Sequence, residues 1–268
     1  MKIATFNINS VGARIELLTQ WLRTENPDVV LLQEIKTEYN AFPFFELQAL
    51  GYDAKVLGQK SYNGVAVLSR HKIRVVSEGI PGFADENSRY LEVEVEDGGE
   101  AYRIASIYLP NGNPPANNPG DKSKLAYKLR WMEAFYNHAR GLLLRHQPVI
   151  LGGDFNVILT PGDVYDPGAF RDNALFLPEV RRQLSAVLHL GYYDAFRALH
   201  PVENGYTYWD YGGGAFQNDL GMRIDYLLLS AQAADRLASC RVDRELRKQN
   251  KPSDHTPLIV ELNKKKND

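Results

Sequence analysis

Residues 90–108, YLEVEVEDGGEAYRIASIY, decide the fold class. Leu91, Val93 and Val95 alternate with Glu92, Glu94 and Glu96, the period of a strand with one wet face. A second strand, Tyr102–Tyr108, follows at once, so the two read as a hairpin-like pair, and Tyr52–Leu68 reads as another. Around them lie strand-like segments at Lys2–Phe6, Val29–Gln33, Val149–Gly152, Thr207–Tyr211, Ile224–Leu229 and Leu258–Leu262. Helical stretches are expected at Ile15–Glu25, Pro43–Leu50, Ser123–Arg145, Pro178–Leu190 and Ala231–Leu237. Pro178 suits a first helical turn, and Gly51 and Gly191 follow helix ends as C-cap glycines do. Hairpins among crossovers break the strict βαβ alternation of a Rossmann fold or a barrel. The class is α/β (α+β by some schemes) with mixed sheets.

The chain has 268 residues, 44% hydrophobic and 24% charged, close to the soluble globular average. That excludes disorder, a collagen-like repeat and a disulfide scaffold. No linker or repeat interrupts it, so one domain over 1–263 with a basic tail at 264–268 is expected. The first residues, MKIATFNINS, lack the apolar run of a signal peptide, and no apolar stretch approaches the roughly 20 residues of a membrane span. The single cysteine, Cys240, in the alternating run Ala238, Cys240, Val242, reads as a buried structural thiol in a reducing cytosol. The stretches 111–121 and 160–173 are long for loops in a compact domain, and such loops are more often functional than idle.

Polar residues interrupt the apolar strands at their ends. Lys2–Phe6 runs into Asn7, Val29–Leu32 into Gln33-Glu34, Ile104–Ile107 into Tyr108, and Val149–Leu151 into Gly152-Gly153-Asp154-Phe155-Asn156. Asp225 heads one apolar strand and Ser253-Asp254-His255 precedes the last. An Asp or Asn after a strand is usually a turn or a cap, but six such segments together point to one end of a sheet, where α/β proteins bind ligands. Glu34, Asp154, Asp225 and Asp254 are hard oxygen donors, with Asn7 and Asn156 as amide partners, a set that favours magnesium or manganese over zinc. There is no HExxH, no cysteine cluster, no Walker loop and no nucleophile elbow around Ser253. Metal-assisted attack of water on a phosphate ester is the chemistry that fits.

These segments occur in an order that resembles the exonuclease III family, the bacterial AP endonucleases within the DNase I-like endonuclease/exonuclease/phosphatase superfamily. The resemblance rests on Asn7-Ile8-Asn9, Gln33-Glu34-Ile35-Lys36, Tyr108-Leu109-Pro110-Asn111, Gly153-Asp154-Phe155-Asn156, Gly221-Met222-Arg223-Ile224-Asp225 and Ser253-Asp254-His255, and runs from residue 2 to about 262. It implies a four-layer sandwich of two packed mixed sheets flanked by helices. It also implies a divalent-metal-dependent DNA-repair nuclease, using Mg²⁺ or Mn²⁺. Such an enzyme cuts 5′ of abasic sites in double-stranded DNA and has 3′→5′ exonuclease and 3′-phosphatase activity.

By position, Glu34 resembles the principal metal ligand, with Asn7 beside it and Asp254 as a further ligand. Asp154 resembles the group that orients or deprotonates water, positioned by Asn156. His255, paired with Asp225, resembles the phosphate contact, and Tyr108 the group that steadies the phosphate. Asn111 matches a phosphate-contacting loop residue, and Tyr208, Met222 and Ile224 match an apolar pocket for a baseless deoxyribose, with ordinary core positions as the alternative.

Two stretches depart from the family pattern. Asn111 is followed by Gly112-Asn113-Pro114-Pro115, without the basic residue some relatives place there, and 157–170 differs in form. The alternatives are a lipid or inositol phosphodiesterase of the same superfamily, for which no amphipathic anchor is present, or a catalytically weak DNA-binding module. A cytoplasmic monomer is expected. The net charge of −2 does not exclude DNA, because residues 84–100 carry seven acids and one base while 120–130 and 241–251 each carry an excess of three basic residues. Sorting of these segments by face would leave the site basic.

Overall fold

The structure, a computed structural model, describes residues 1–264; the rest of the basic tail lies outside the described residues. In chain order the elements are β1 (Lys2–Asn7), α1 (Ile15–Glu25), β2 (Val29–Gln33), α2 (Phe44–Gln48), β3 (Asp53–Leu57), β4 (Val65–Ser69), β5 (Lys72–Glu78), β6 (Tyr90–Asp97), β7 (Glu100–Tyr108) and α3 (Ser123–Leu143). They continue with β8 (Val149–Asp154), α4 (Pro178–His189), β9 (Tyr193–Asp194), α5 (Ala195–Leu199), β10 (Tyr208–Trp209), β11 (Gly221–Met222), β12 (Asp225–Leu229), α6 (Ala231–Ala234), β13 (Leu237–Val242) and β14 (Leu258–Leu262).

Two six-stranded sheets form, in the orders β13-β14-β1-β2-β4-β3 and β5-β6-β7-β8-β12-β9, with β10 and β11 as a separate ribbon. Both are mixed. In the first, β1 and β2 are parallel and joined through α1; in the second, β7 and β8 are parallel and joined through α3. A parallel pair needs such a crossover, and the helix covers the outer face of its sheet. The inner faces meet in one core that includes Ile3, Leu31 and Val67 from the first sheet and Val93, Ile104 and Leu227 from the second. Leu18 and Trp21 of α1 seal the outer face of the first sheet, and Trp131 and Phe135 of α3 that of the second. The result is the helix–sheet–sheet–helix sandwich that the resemblance implied.

The two parallel crossovers fix where chemistry can occur. They bring the carboxyl ends of β1, β2, β7 and β8 to one rim, so that Asn7, Glu34, Tyr108 and Asp154 arrive together. Gly153 is required there: a Cβ would stand 1.9 Å from the Ile107 carbonyl oxygen of the neighbouring parallel strand. At Gly152 a Cβ would meet Leu31 of the first sheet and Leu227 of the second, each at 2.6 Å.

Several expectations change. The wet face of β6 is wet only at its far end, for Glu92 is 1% exposed. It accepts hydrogen bonds from Tyr90 (2.7 Å), Arg103 (2.9 Å) and His138 of α3 (2.6 Å), because the helix lies over that face. Alternation of apolar and acidic residues therefore reported which face each side chain takes and not its solvation. The strand expected over 207–211 is only Tyr208–Trp209, since the Asp210 side chain turns the chain by accepting from Gly212 N (2.7 Å). The helix expected to reach Leu237 stops at Ala234, and Leu237 instead opens β13 against β14. Cys240 lies buried in β13, its thiol pKa pushed up by burial. No helix among the described residues is long and apolar enough to cross a membrane.

Candidate active site at the rim of the two sheets

The pairing of β1 with β2 continues past both strands: Ile8 N donates to Gln33 O, Ser10 N to Glu34 O and Val11 N to Ile35 O. Glu34, at φ 48°, turns out of the strand and delivers its carboxylate to the rim. Asn7 Nδ2 donates to Glu34 Oε1 (2.8 Å) and Asp154 Oδ2 (3.0 Å), so one buried amide ties the first sheet to the second. The backbone N–H of Asn156 donates to Asp154 Oδ1 (2.9 Å), which leaves both Asp154 oxygens oriented.

Asp154 and Asp225 face each other across the antiparallel pair β8–β12. Two carboxylates in that relation repel. His255 stands between them, with Nδ1 2.8 Å from Asp225 Oδ2 and Nε2 3.7 Å from Asp154 Oδ2. Burial disfavours the imidazolium, but Asp225 and Asp154 outweigh it and push the pKa up to about 10. Burial also raises Asp154, to about 7; His255 opposes the rise while Asp225 and Glu34 add to it. The Tyr108 phenol is held well above its ordinary range by burial, with Glu34 and Asp154 adjacent, and so keeps its proton. Tyr208 packs edge-on against the His255 ring, centroids 5.0 Å apart.

Of the residues singled out from sequence, Glu34, Tyr108, Asn111, Asp154, Asn156, Tyr208, Met222, Ile224, Asp254 and His255 line one pocket of about 500 Å³. Asn7 and Asp225 lie buried behind it. Glu34, Asp154 and His255 present ligand atoms within 4.8 Å of one another. With His255 protonated toward Asp225, the donors that remain are carboxylates. A hard divalent ion held by one or two carboxylates plus water and phosphate fits such a set. Asp254 stands outside this trio: its Oδ1 accepts from Asn9 Nδ2 (3.0 Å) and from Ser253 Oγ (3.2 Å).

Sequence reasoning gave no role to several neighbours. Lys36, though inside the Gln-Glu-x-Lys motif, pairs with Glu34 (2.9 Å) and donates to Asn9 Oδ1 (2.6 Å). Tyr165, Phe170 and Leu175 from the long loop after β8 complete the apolar half of the pocket. That loop is held by Arg223, which is fully buried and donates to Asp163 (2.7 Å) and Asp194 (2.7 Å).

Lys128 of α3 is also fully buried, and its Nζ donates to the carbonyls of Asn111 (2.9 Å) and Asn156 (2.6 Å), joining two pocket loops. Burial lowers its pKa from 10.5 to about 7. Between those values the unfolded chain binds more protons than the folded one, so Lys128 makes stability rise with pH. Compared with Lys128→Met, the wild type is expected to gain stability from pH 7 to pH 9.5. Denaturant titrations of both proteins at the two values test this, and a pH-independent difference would refute it.

Residues 4–255 match the Endonuclease/Exonuclease/phosphatase family. The chain is 31% identical to the exodeoxyribonuclease III of Haemophilus influenzae, covering 98% of this chain and all of that protein. Among solved structures it resembles an AP endonuclease from Archaeoglobus fulgidus at a TM-score of 0.90 and 33% identity, over 98% of this chain and 99% of that one. It also resembles the 3′ phosphatase NExo from Neisseria, bound to a product DNA hairpin, at a TM-score of 0.91 and 35% identity over the same shares. The fold, the rim of carboxylates and this full-length similarity together make the chain a member of the endonuclease/exonuclease/phosphatase family.

Proposed function

We propose that the protein is a divalent-metal-dependent DNA-repair phosphodiesterase that cuts 5′ of abasic sites and processes 3′ ends. The observation that carries this reading is the buried triplet Asp154–His255–Asp225, opening onto the same pocket as Glu34. Relatives named as an exodeoxyribonuclease, an AP endonuclease and a 3′ phosphatase support DNA as the substrate.

Asp154, fixed by Asn7 and Asn156, takes a proton from the attacking water; its raised pKa suits a general base near neutrality. His255, held by Asp225, donates through Nε2 to a phosphate oxygen, and the protonated Tyr108 phenol donates beside it. Both act where negative charge grows in the transition state. Glu34, with Asn7 alongside, would hold the ion, Mg²⁺ or Mn²⁺, which when bound neutralises charge on the phosphate.

Tyr208, Met222 and Ile224 form an apolar surface for a deoxyribose that has lost its base, and no base need be unpaired for it to enter. Asn111 lines the pocket, its Nδ2 donating to Asn156 Oδ1 (3.2 Å), and would contact phosphate from there. Of the acids of 84–100, Asp85 accepts from Tyr127 (2.7 Å) near Arg89 and Tyr108, whereas five others lie apart or are paired. Asp97 and Glu100 sit at the turn of the β6–β7 hairpin, far from Tyr108, and Glu92, Glu94 and Glu96 pair with Arg103, Arg74 and Lys72. The whole site comes from one chain, which fits a monomer, and the lone buried thiol fits the cytoplasm.

Duplexes carrying an abasic analogue, a 3′-phosphate or an undamaged recessed 3′ end, incubated with Mg²⁺, Mn²⁺ or EDTA, test the reading. Incision and 3′ trimming that EDTA abolishes are expected. Tight binding with no cleavage under any condition would leave only a DNA-binding module, and inertness toward all three would end the DNA reading.

A further inference from the structure

One wall of the pocket is aromatic and has no part in the chemistry above. Tyr165 and Phe170 form an edge-to-face pair, centroids 5.8 Å apart at 85°, and both line the cavity. Tyr165 is 43% exposed, so much of its ring has no protein partner.

This wall is fixed in place. Tyr165 N donates to Gly221 O (3.1 Å), Val164 pairs with Met222, and Arg223 N donates to Asp163 O (2.8 Å). The buried Arg223 side chain then locks Asp163 from beneath. The backbone that carries Tyr165 is therefore ordered before any ligand arrives, so only its side chain remains to be ordered on binding. Tyr165 and Phe170 line the same cavity of about 500 Å³ as Tyr208, Met222 and Ile224, which has room for more than a bare deoxyribose.

We propose that Tyr165, backed by Phe170, is a stacking subsite for the nucleobase of the 3′-terminal nucleotide during end trimming. The inference rests on the DNA phosphodiesterase reading and deepens it: one pocket takes a bare sugar against Tyr208, Met222 and Ile224, and a nucleoside whose base reaches Tyr165. Stacking on an aromatic face tolerates any base, so trimming should show weak sequence preference.

The test compares two rates on matched recessed duplexes with Mg²⁺: removal of an ordinary 3′-terminal nucleotide and removal of a 3′-phosphate. Tyr165→Ala is expected to lower the ratio of the first to the second by roughly 5- to 150-fold, the loss of one base–aromatic stack. Tyr165→Phe and Tyr165→Trp should restore it. A 3′-terminal 2-aminopurine, bound in EDTA, should be quenched by the wild type and brighter with Tyr165→Ala. An unchanged ratio, or equal quenching by both proteins, overturns the proposal, and so does a wild type that removes phosphate but never a nucleotide. Wild-type inertness toward both ends would remove the phosphodiesterase reading itself, and the subsite with it.

Discussion

Asp154→Asn lowers turnover by about 10²–10⁴-fold, the usual contribution of a positioned general base, while the protein stays folded. Asparagine has nearly the shape of aspartate, so the backbone of β8 need not move. What is lost is a buried carboxylate held between Asn7 and Asn156 whose pKa burial has lifted to about 7. The same replacement removes one of two carboxylates that face each other across β8 and β12. Repulsion falls, but the new amide turns its NH2 toward one of two donors, Asn7 Nδ2 or Asn156 N, and the His255 imidazolium loses a partner, so the melting temperature should fall modestly without loss of the fold. Steady-state kinetics and thermal unfolding on one preparation check both halves. Normal turnover would refute the role of Asp154, and a collapse in stability would refute the account of the charge pair. His255→Ala should be as inactive but less stable, because Asp225 already has one buried oxygen without a partner and would lose its only imidazole.

Arg223→Met is expected to give the largest loss of stability. Arg223 is buried between Asp163 and Asp194, and stacks over Tyr226 at 4.6 Å. Methionine fills the volume but leaves two buried carboxylates, of which Asp163 keeps only Arg197 and the Thr160 cap. Breaking a buried pair from one side costs about 3–5 kcal/mol, and a chain of this size loses roughly 2–4 °C per kcal/mol. A fall in melting temperature of about 6–20 °C follows. Adding Asp163→Asn and Asp194→Asn to Arg223→Met should recover part of it, since neutral amides tolerate burial better. A single variant as stable as wild type would show that the network is solvated.

That the sheets are mixed could be read from the alternation in 90–108 and the apolar runs around it, because period and polarity are local properties; the packing of two sheets into a sandwich was implied only by the resemblance to the exonuclease III family. The rim residues could be read too, since an apolar strand that ends in Asp-x-Asn or Gln-Glu is conspicuous. What could not be read is pairing at a distance. Nothing near Glu92 in the sequence announces His138, 46 residues away, so its burial was invisible. Lys128 sits within a run of solvated basic residues and differs from them only because α3 turns it under the Asn111 loop. Arg223 belonged to a recognised motif, yet its partners lie 60 and 29 residues distant. The edge strand β5 went unread because only one of its seven residues is buried and its alternation fades.

The missing side chain at Gly152 acts as a spacer set to zero. Leu31 and Leu227 close over it from opposite sheets, so the distance between the layer that carries Glu34 and the layer that carries Asp154 is determined in the hydrocarbon interior. Reactivity here is thus tuned by a dimension of the core, and an apolar residue far from any proton can misalign the two halves as surely as the loss of a carboxylate.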